Sequence, residues 1–210
     1  MSTKIGLISD VHATAGPVHD AFSIFQRQRV DRIFCCGDNA GYGTELVQTV
    51  DLIIRNGCET IMGNHDLWYL DTPADGKAEF VVDFLEKLPL SLQITLEGKR
   101  IYFVHASPPL SLRKGITLLD ENAQILPDRK RQWTDELAGS NFDVLVVGHT
   151  HQVFAEQLGN VLVINPGSTK FNHTCAILSL PELEIQIYPL SNKKPVHVWH
   201  WRMGGNEVMT

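Results

Sequence analysis

The sequence predicts an α/β fold in a single domain. Over its first third, short runs of β-branched and apolar residues alternate with longer amphipathic stretches, a pattern typical of strands alternating with helices. Apolar residues make up 43% and charged residues 20% of the chain, as in ordinary globular proteins. The length of 210 residues is closer to one domain of about 150 residues than to two. We therefore expect one domain spanning residues 1–210.

The first elements form a predicted βαβαβ unit. Strands are expected at 4–9, 31–36 and 58–62. Pro17 suits the first turn of the first helix. Apolar residues three or four apart mark the two helices, with Val18, Phe22 and Phe25 in the first and Leu46, Val50 and Ile53 in the second. Strands joined by helices of this length are expected to pair in parallel with right-handed crossovers.

The pattern changes in the middle of the chain. A third amphipathic helix should end before Pro89, and a hairpin over 92–96 and 100–104 should turn at Gly98. Residues 107–127 contain three prolines and little periodicity, which predicts a long loop or lid. The apolar face of that third helix would be formed by Phe80, Phe84, Leu85 and Leu88.

The remainder is predicted to be rich in strands. A helix is expected only at 129–137, and strands at 143–147, 160–164, 174–180, 183–188 and 196–201. In the last of these, Trp199 and Trp201 would share a face with His197, which fits either a second sheet's core or a subunit contact.

Charge and composition exclude several classes of protein. The net charge is −6, without the basic excess that phosphate-based nucleic-acid binding needs. No apolar run approaches the ~20 residues that cross a bilayer, and the N-terminus does not look like a signal peptide. We expect a cytoplasmic protein without a stable nucleic-acid or membrane partner. The cysteines lack a CxxC pair and are expected to be reduced and mostly buried: Cys35, Cys36, Cys58 and Cys175.

Polar residues follow the predicted strands where ligands bind in open α/β sheets. Histidine with carboxylate suits Mn, Fe, Co, Ni or Zn, and a carboxylate can bridge two ions. Residues two apart in extended backbone point the same way, so each His-containing pair can face one metal. One such turn is ordinarily structural, but six in order favour a metal centre. They are Asp10-Val11-His12, Gly37-Asp38-Asn39, Gly63-Asn64-His65-Asp66, His105, Gly148-His149-Thr150-His151 and Asn165-Pro166-Gly167-Ser168.

These motifs resemble the calcineurin-like metallophosphoesterases, and they occur in that family's order. Two stretches, residues 37–43 and 165–168, are similar to the small bacterial and archaeal phosphodiesterase branch. The resemblance implies a four-layer αββα sandwich of two mixed β-sheets flanked by helices. It also implies a dinuclear centre of two divalent ions, with Mn expected first and Fe, Zn, Ni or Co as alternatives.

The resemblance assigns ligands residue by residue. Asp38 would bridge the two ions. The remaining ligands would be Asp10, His12 and His151 for one ion, and Asn64, His105 and His149 for the other. A hydroxide bridging the ions would then attack a phosphate ester.

The resemblance also places His65 near the leaving oxygen, as general acid or cationic stabiliser. Asn64 would also steady the phosphate. Asp66 would either orient His65 or serve as a turn or helix-cap residue, since the acidic residue that pairs with this histidine in the protein-phosphatase branch is missing. Ala106 replaces the glycine that often follows the residue equivalent to His105, and should still allow the turn.

Weaker signals leave alternatives open. The Gly41-Tyr42-Gly43 stretch is a turn or a phosphate cradle. Trp68 and Tyr69 either belong to the core or stack on a nucleobase. Arg113, beside Lys114 in the loop after His105, is a solvated charge or binds substrate phosphate.

The predicted function is a phosphodiesterase acting on a small, nucleotide-like phosphate ester. The alternatives are a phosphomonoesterase or protein phosphatase of broad specificity, and a non-catalytic scaffold that retains the fold. A homo-oligomer is left open, as are the natural substrate and the native metal.

Overall fold

The structure is a computed structural model that describes residues 3–73 and 75–199. The strands are β1 (Thr3–Ile8), β2 (Arg32–Cys35), β3 (Glu59–Thr60), β4 (Ser91–Leu96), β5 (Lys99–Val104), β6 (Val144–Val146), β7 (Val153–Leu158), β8 (Val161–Pro166), β9 (Thr174–Leu180) and β10 (Glu184–Pro189). The helices are α1 (Ala15–Arg27), α2 (Leu46–Arg55), α3 (Asn64–Asp71), α4 (Glu79–Glu86) and α5 (Pro127–Glu136).

The first sheet contains the predicted βαβαβ unit. Its strand order is β10-β9-β1-β2-β3, with β1, β2 and β3 parallel and β9 antiparallel to both of its neighbours. Strand β3 is shorter than the predicted 58–62. The chain leaves the sheet there, because the Met62 N–H donates to the Pro89 carbonyl instead of to β2. This early departure carries Asn64 and His65 away from the sheet.

The second sheet has the order β4-β5-β6-β8-β7, in which β5, β6 and β8 are parallel. The predicted β4–β5 hairpin is present, and Glu97 and Gly98 at its turn both have positive φ. Strand β7 was not predicted. Its residues do not alternate, since two buried apolar residues are followed by three that are exposed or half-buried, and its strand structure comes from antiparallel pairing with β8.

The predicted strand at 196–201 is wrong for its described part. Val198 makes only an isolated bridge to Gln152, and the Val196 carbonyl accepts a hydrogen bond from the Asn172 side chain. This segment runs antiparallel beside residues 151–153, where the Val153 N–H donates to the His197 carbonyl, but it forms no regular strand. Residues 200 and 201 lie outside the described residues, and the predicted face shared by His197, Trp199 and Trp201 falls partly there.

Apolar packing divides the molecule into four layers. Between the sheets, Phe34 of β2 stacks on Phe103 of β5, with ring centroids 4.4 Å apart. On the outer face of the first sheet, Phe25 of α1 packs against Gly6, where a side chain would collide with its ring. On the outer face of the second sheet, Trp133 of α5 is buried. The predicted αββα sandwich is confirmed.

The long segment between β5 and α5 contains no helix, as expected of a loop. It is anchored to the second sheet by buried Ile116, Leu118 and Leu119. Within the two described ranges, no helix combines the length and apolar character needed to cross a membrane.

Candidate metal centre and active site

The strand ends of both sheets meet at one rim, and the predicted ligands converge there. Residues after β1, β2 and β3 come from the first sheet, and residues after β5 and β6 come from the second. Potential ligand atoms lie within 4.8 Å of one another in three groups: Asp10, His12 and His151; His12, Asp38 and His65; and Asp38, His105 and His149.

The first group is almost completely buried. The Nε2 atom of His151 lies 3.3 Å from Oδ1 of Asp10 and 3.2 Å from Nε2 of His12. Two imidazole nitrogens and a carboxylate oxygen therefore face the same point. This is a donor set suited to a borderline divalent ion.

The amide of Asn64 lies beside the third group, formed by Asp38, His105 and His149. Asp38 Oδ2 lies 3.4 Å from Nε2 of His105. The Asn64 side-chain oxygen lies 3.2 Å from that nitrogen and 2.9 Å from Nδ1 of His149. In the opposite amide orientation, the Asn64 NH2 group would instead donate to the Leu112 carbonyl, 3.0 Å away.

Backbone carbonyls bind the far nitrogen of three of the histidines. His105 Nδ1 lies 2.6 Å from the Cys36 oxygen, His149 Nε2 2.9 Å from the Arg113 oxygen, and His12 Nδ1 3.2 Å from the Ala40 oxygen. A carbonyl can only accept, so each of these nitrogens carries a proton. In the neutral ring the inward nitrogen then presents a lone pair. The residues present therefore fit a metal centre.

Both carboxylates are held by further hydrogen bonds. The Ser9 hydroxyl donates to Asp10 Oδ2 over 2.6 Å, and the His149 N–H donates to both oxygens of Asp10. The His65 N–H donates to Asp38 Oδ1 over 2.8 Å. Sequence reasoning missed Ser9, because a serine at a strand end carries no signal of its own.

Electrostatics keep the two carboxylates charged. Burial alone would raise the pKa of Asp10, but His151 and its neighbours outweigh burial and lower it. Burial would likewise raise the pKa of Asp38, but His105 outweighs burial and the pKa is lowered. The pKa of His105 is raised to about 9, since the charge of Asp38 more than offsets the effect of burial. Burial lowers the pKa of His12 to about 4 and also lowers those of His65 and His149.

The backbone of the site is strained. Five of the seven predicted ligands have φ between 49° and 66°, a region that non-glycine residues rarely adopt: Asp10, His12, Asp38, His149 and His151. Such conformations concentrate at functional sites, where the surrounding structure must hold them in place. Gly63 permits one close approach, because a Cβ atom there would collide with the Asp38 carboxylate.

His65 faces a cavity of about 300 Å3 at the rim. Its ring lies edge-on to those of His12 and Trp68, at centroid distances of 4.9 and 4.5 Å. It is half-buried, unlike the nearly fully buried His12 and His105. The cavity is also lined by Asp38, Tyr42, Asn64, Trp68, His149, Thr150, His151 and Trp199.

Asp66 caps the helix that carries His65. Its Oδ2 accepts from the Gly63 N–H over 2.9 Å, and its Oδ1 accepts from the Ala40 N–H over 2.8 Å. Asn39 also donates to it, over 3.1 Å. Of the two roles considered for Asp66, these contacts favour the cap. The expectation that it orients the His65 ring has no hydrogen bond to support it within the described residues.

The weaker sequence signals have different outcomes in the structure. The Gly41-Tyr42-Gly43 stretch is a turn and not a helix-terminal cradle, since α2 begins only at Leu46 and the Gly43 N–H donates to the His12 carbonyl. Arg113 is exposed, and its guanidinium carbon lies 6.0 Å from the centroid of the Trp68 ring.

An aromatic group beside His12 and His151 was not predicted as part of the site. Phe171 stacks on His151 with a centroid distance of 5.2 Å, and Trp199 stacks on Phe171 at 4.1 Å. The backbone N–H of Trp199 donates to the backbone carbonyl of His151. Their sequence spacing gives no signal, because the C-terminal segment returns to the rim only in the folded chain.

Comparison with known proteins identifies the family to which this chain belongs. The sequence model of the calcineurin-like phosphoesterase superfamily domain matches residues 3–182, and the chain belongs to this superfamily. The resemblance drawn from the motifs is thereby confirmed. Family membership indicates a phosphoesterase, a hydrolase of a metal-dependent family.

Two relatives come from the archaeon Methanocaldococcus jannaschii. The uncharacterized protein MJ0912 is 25% identical over 199 residues, covering 80% of this chain and 76% of its own. The phosphodiesterase MJ0936 is 24% identical over 170 residues, covering 78% of this chain and 82% of its own. The crystal structure of a metallophosphoesterase from Sphaerobacter thermophilus shares the fold, with a TM-score of 0.69, 20% identity, and coverage of 91% of this chain and 90% of that one.

Proposed function

We propose that this protein is a phosphodiesterase that holds two divalent ions and hydrolyses a small, nucleotide-like phosphodiester. The observation that carries the proposal is the convergence of seven side chains at one rim where both sheets meet, with imidazole nitrogens, two carboxylates and the Asn64 amide brought together. Four of the seven line the cavity there: Asp38, Asn64, His149 and His151. The relative MJ0936, which is named a phosphodiesterase, supports the choice of a diester.

Each residue has a role in this proposal. Asp10, His12 and His151 would hold one ion, Asn64, His105 and His149 would hold the other, and Asp38 would contribute to both. Such ions supply Lewis-acid stabilisation of the phosphoryl oxygens and an activated water. His65 lies at the cavity wall, where it can donate a proton or hydrogen bond to the leaving oxygen. Arg113 contributes positive charge at the edge of the cavity.

The environment of His65 favours a diesterase over a protein phosphatase. Within the described residues, no hydrogen bond or ion pair joins its ring to a carboxylate, and Asp66 is occupied by backbone N–H groups. The histidine therefore lacks the acidic partner that the resemblance associates with the protein-phosphatase branch.

Metal analysis followed by a substrate panel tests the proposal. The purified protein should hold two equivalents of Mn, Fe, Zn, Ni or Co, measured by mass spectrometry. With Mn added, it should hydrolyse bis(p-nitrophenyl) phosphate and nucleotide diesters faster than p-nitrophenyl phosphate. Chelation should abolish the activity, and metal should restore it.

Each alternative has its own outcome. Preference for the monoester would favour a phosphomonoesterase. Two bound metals without hydrolysis of any ester would favour a scaffold. Full activity after confirmed metal removal would contradict a metal mechanism altogether.

A further inference from the structure

We propose that Trp68 forms the wall of a stacking subsite beside the metal centre, which selects substrates carrying a flat aromatic base on the phosphodiester. The inference rests on the proposed function for its reaction and adds the substrate class, a nucleoside phosphodiester. Its basis is the placement and exposure of Trp68 on α3.

Helical spacing directs Trp68 toward the reacting region. It lies three residues after His65, so both side chains share one face of α3. Their ring centroids are 4.5 Å apart, and both line the cavity that contains Asp38 and Asn64. A group stacked on Trp68 would therefore lie beside His65 and the proposed metal centre.

The exposure of Trp68 separates it from its neighbour. Tyr69 packs against the small core formed around α2 and α4, and Lys77 Nζ lies 4.7 Å from its ring centroid. Trp68 instead leaves 46% of its surface exposed. A large ring that folding leaves half in solvent, at the edge of a polar cavity, gains burial when a ligand stacks on it. Of the two roles that the sequence leaves open for these residues, the core role fits Tyr69 and the stacking role fits Trp68.

Arg113 provides a second flat group over the same ring. Its guanidinium carbon is 6.0 Å from the Trp68 centroid. One inserted base needs about 7 Å between the outer groups, since carbon contacts are about 3.5 Å on each side. Arg113 is exposed, so its side chain is free to move away from Trp68 and admit a base.

The position of Arg113 is tied to the metal centre. Its carbonyl accepts the hydrogen bond from His149 Nε2, so a change in the loop is felt at a proposed ligand. The guanidinium brings positive charge beside the stacking face, which suits a base that carries a phosphate. The cavity of about 300 Å3 is at the small end of ligand sites. These features together favour a mononucleotide unit rather than an extended strand.

Two methyl diesters without a second aromatic ring test the subsite. One is the methyl ester of AMP, the other is the methyl ester of ribose 5-phosphate, which has no base, and the hydrolysis products of both are followed by chromatography. For wild type the ratio of kcat/KM should favour the nucleoside ester. Trp68→Ala should lower this ratio about 5- to 100-fold, as expected for loss of one base–aromatic contact, and Trp68→Phe should lower it less.

Phe80→Ala is the matched control. Phe80 is a ring on α4 with 45% exposure that lies outside the residues lining the cavity, so its removal should leave the ratio unchanged. If Trp68→Ala lowers both rates equally, or changes neither, the stacking subsite is wrong. Equal losses would show that Trp68 acts only by positioning His65. Thermal melting followed by circular dichroism confirms folding, and Trp68→Phe retains the test if the alanine variant does not fold.

Binding measurements separate this inference from the proposed function. In calorimetry on the metal-loaded protein, AMP should bind more tightly than ribose 5-phosphate, and Trp68→Ala should remove the difference. If wild type hydrolyses neither diester but shows this Trp68-dependent preference, the subsite stands and the diesterase function fails. If wild type hydrolyses both diesters equally and binds AMP no better than ribose 5-phosphate, the function stands and the subsite fails.

Discussion

Asp38 is the residue shared by the two halves of the proposed metal centre. It belongs to two of the three ligand groups, and its second oxygen accepts the His65 N–H. Asp38→Ala should lower metal content at both positions, because its loss removes the negative charge between two cations. Metal-to-protein ratios measure this. Asp51→Ala, an exposed carboxylate paired with Arg55 on α2, is the control and should keep both equivalents. Two equivalents retained in Asp38→Ala would show that Asp38 is not a bridge.

His65 can be distinguished from a ligand by its kinetics. His65→Ala should lower kcat by about 10²- to 10⁴-fold with metal content intact, if it donates to the leaving oxygen. The loss should be smaller with a nitrophenolate leaving group, which departs without a proton, than with a ribose alkoxide. Equal losses would favour charge stabilisation instead. Since His65 also forms a possible ligand group with His12 and Asp38, loss of a metal in the variant would assign it to that group.

The proton on His105 makes the stability of the metal-free protein depend on pH. Its pKa rises from the ordinary 6.5 to about 9, because Asp38 outweighs burial. A raised folded-state pKa adds stability that is complete below pH 6.5 and is lost as pH rises through about 9. We expect a fall on the order of 3 kcal/mol in the free energy of unfolding across that window.

Urea denaturation of the chelated protein at pH 6 to 9 measures this fall. His105→Gln provides the comparison, since its curve should lack the decrease. Parallel curves for the two proteins would show that the proton does not reside on His105.

At the scale of the element, the start of α3 decides where His65 and Trp68 lie. Asp66 is fully buried and holds the Gly63 and Ala40 N–H groups. Asp66→Ala should lower the free energy of unfolding by about 2–4 kcal/mol, because two buried donors lose their acceptor. Asp66→Asn, which can still accept one of these bonds, should cost less.

Asp71→Ala is the control for this comparison, as an exposed carboxylate at the last residue of the same helix. Its unfolding free energy should stay within about 0.5 kcal/mol of wild type. Denaturant titration followed by circular dichroism gives the three values. An Asp66→Ala variant as stable as Asp71→Ala would remove the capping role.

The proposed metal centre spans both sheets, so metal binding should stabilise the whole molecule. The proposed ligands follow β1, β2 and β3 of one sheet and β5 and β6 of the other. A metal ion that binds only the folded state lowers the population of the unfolded state, in proportion to the excess of the ion's concentration over its dissociation constant.

The four buried cysteine thiols can report unfolding of the protein. Burial raises the pKa of all four, to about 12 for Cys35 and Cys175. An aromatic disulfide reagent should therefore label the native protein only through unfolding. Manganese at 100 times its dissociation constant should slow labelling by about 100-fold for each ion that binds. In Asp38→Ala it should have little effect. Rapid labelling that ignores metal would contradict both the burial and the coupling.

The apolar periodicity of the sequence and the polar residues at its strand ends were enough to predict most of the fold and the residues of the candidate site. The βαβαβ unit, the β4–β5 hairpin and helix α5 follow from local apolar patterns, which packing in the structure satisfies. The seven proposed ligands are readable because short polar side chains must follow strands whose carboxyl ends meet at one rim. Their roles as ligands remain predictions, but their convergence is a property of the fold.

Features that depend on contacts between distant parts of the chain are visible only in the tertiary structure. Strand β7 exists through pairing with β8, and the segment at 196–199 is held by Asn172 and Gln152 rather than by any pattern of its own. The cap formed by Asp66 requires the loop that contains Ala40. The exposure of Trp68 follows from the point at which the chain leaves β3 to begin α3. These outcomes arise from long-range hydrogen bonds and packing, which residue spacing along the chain does not encode.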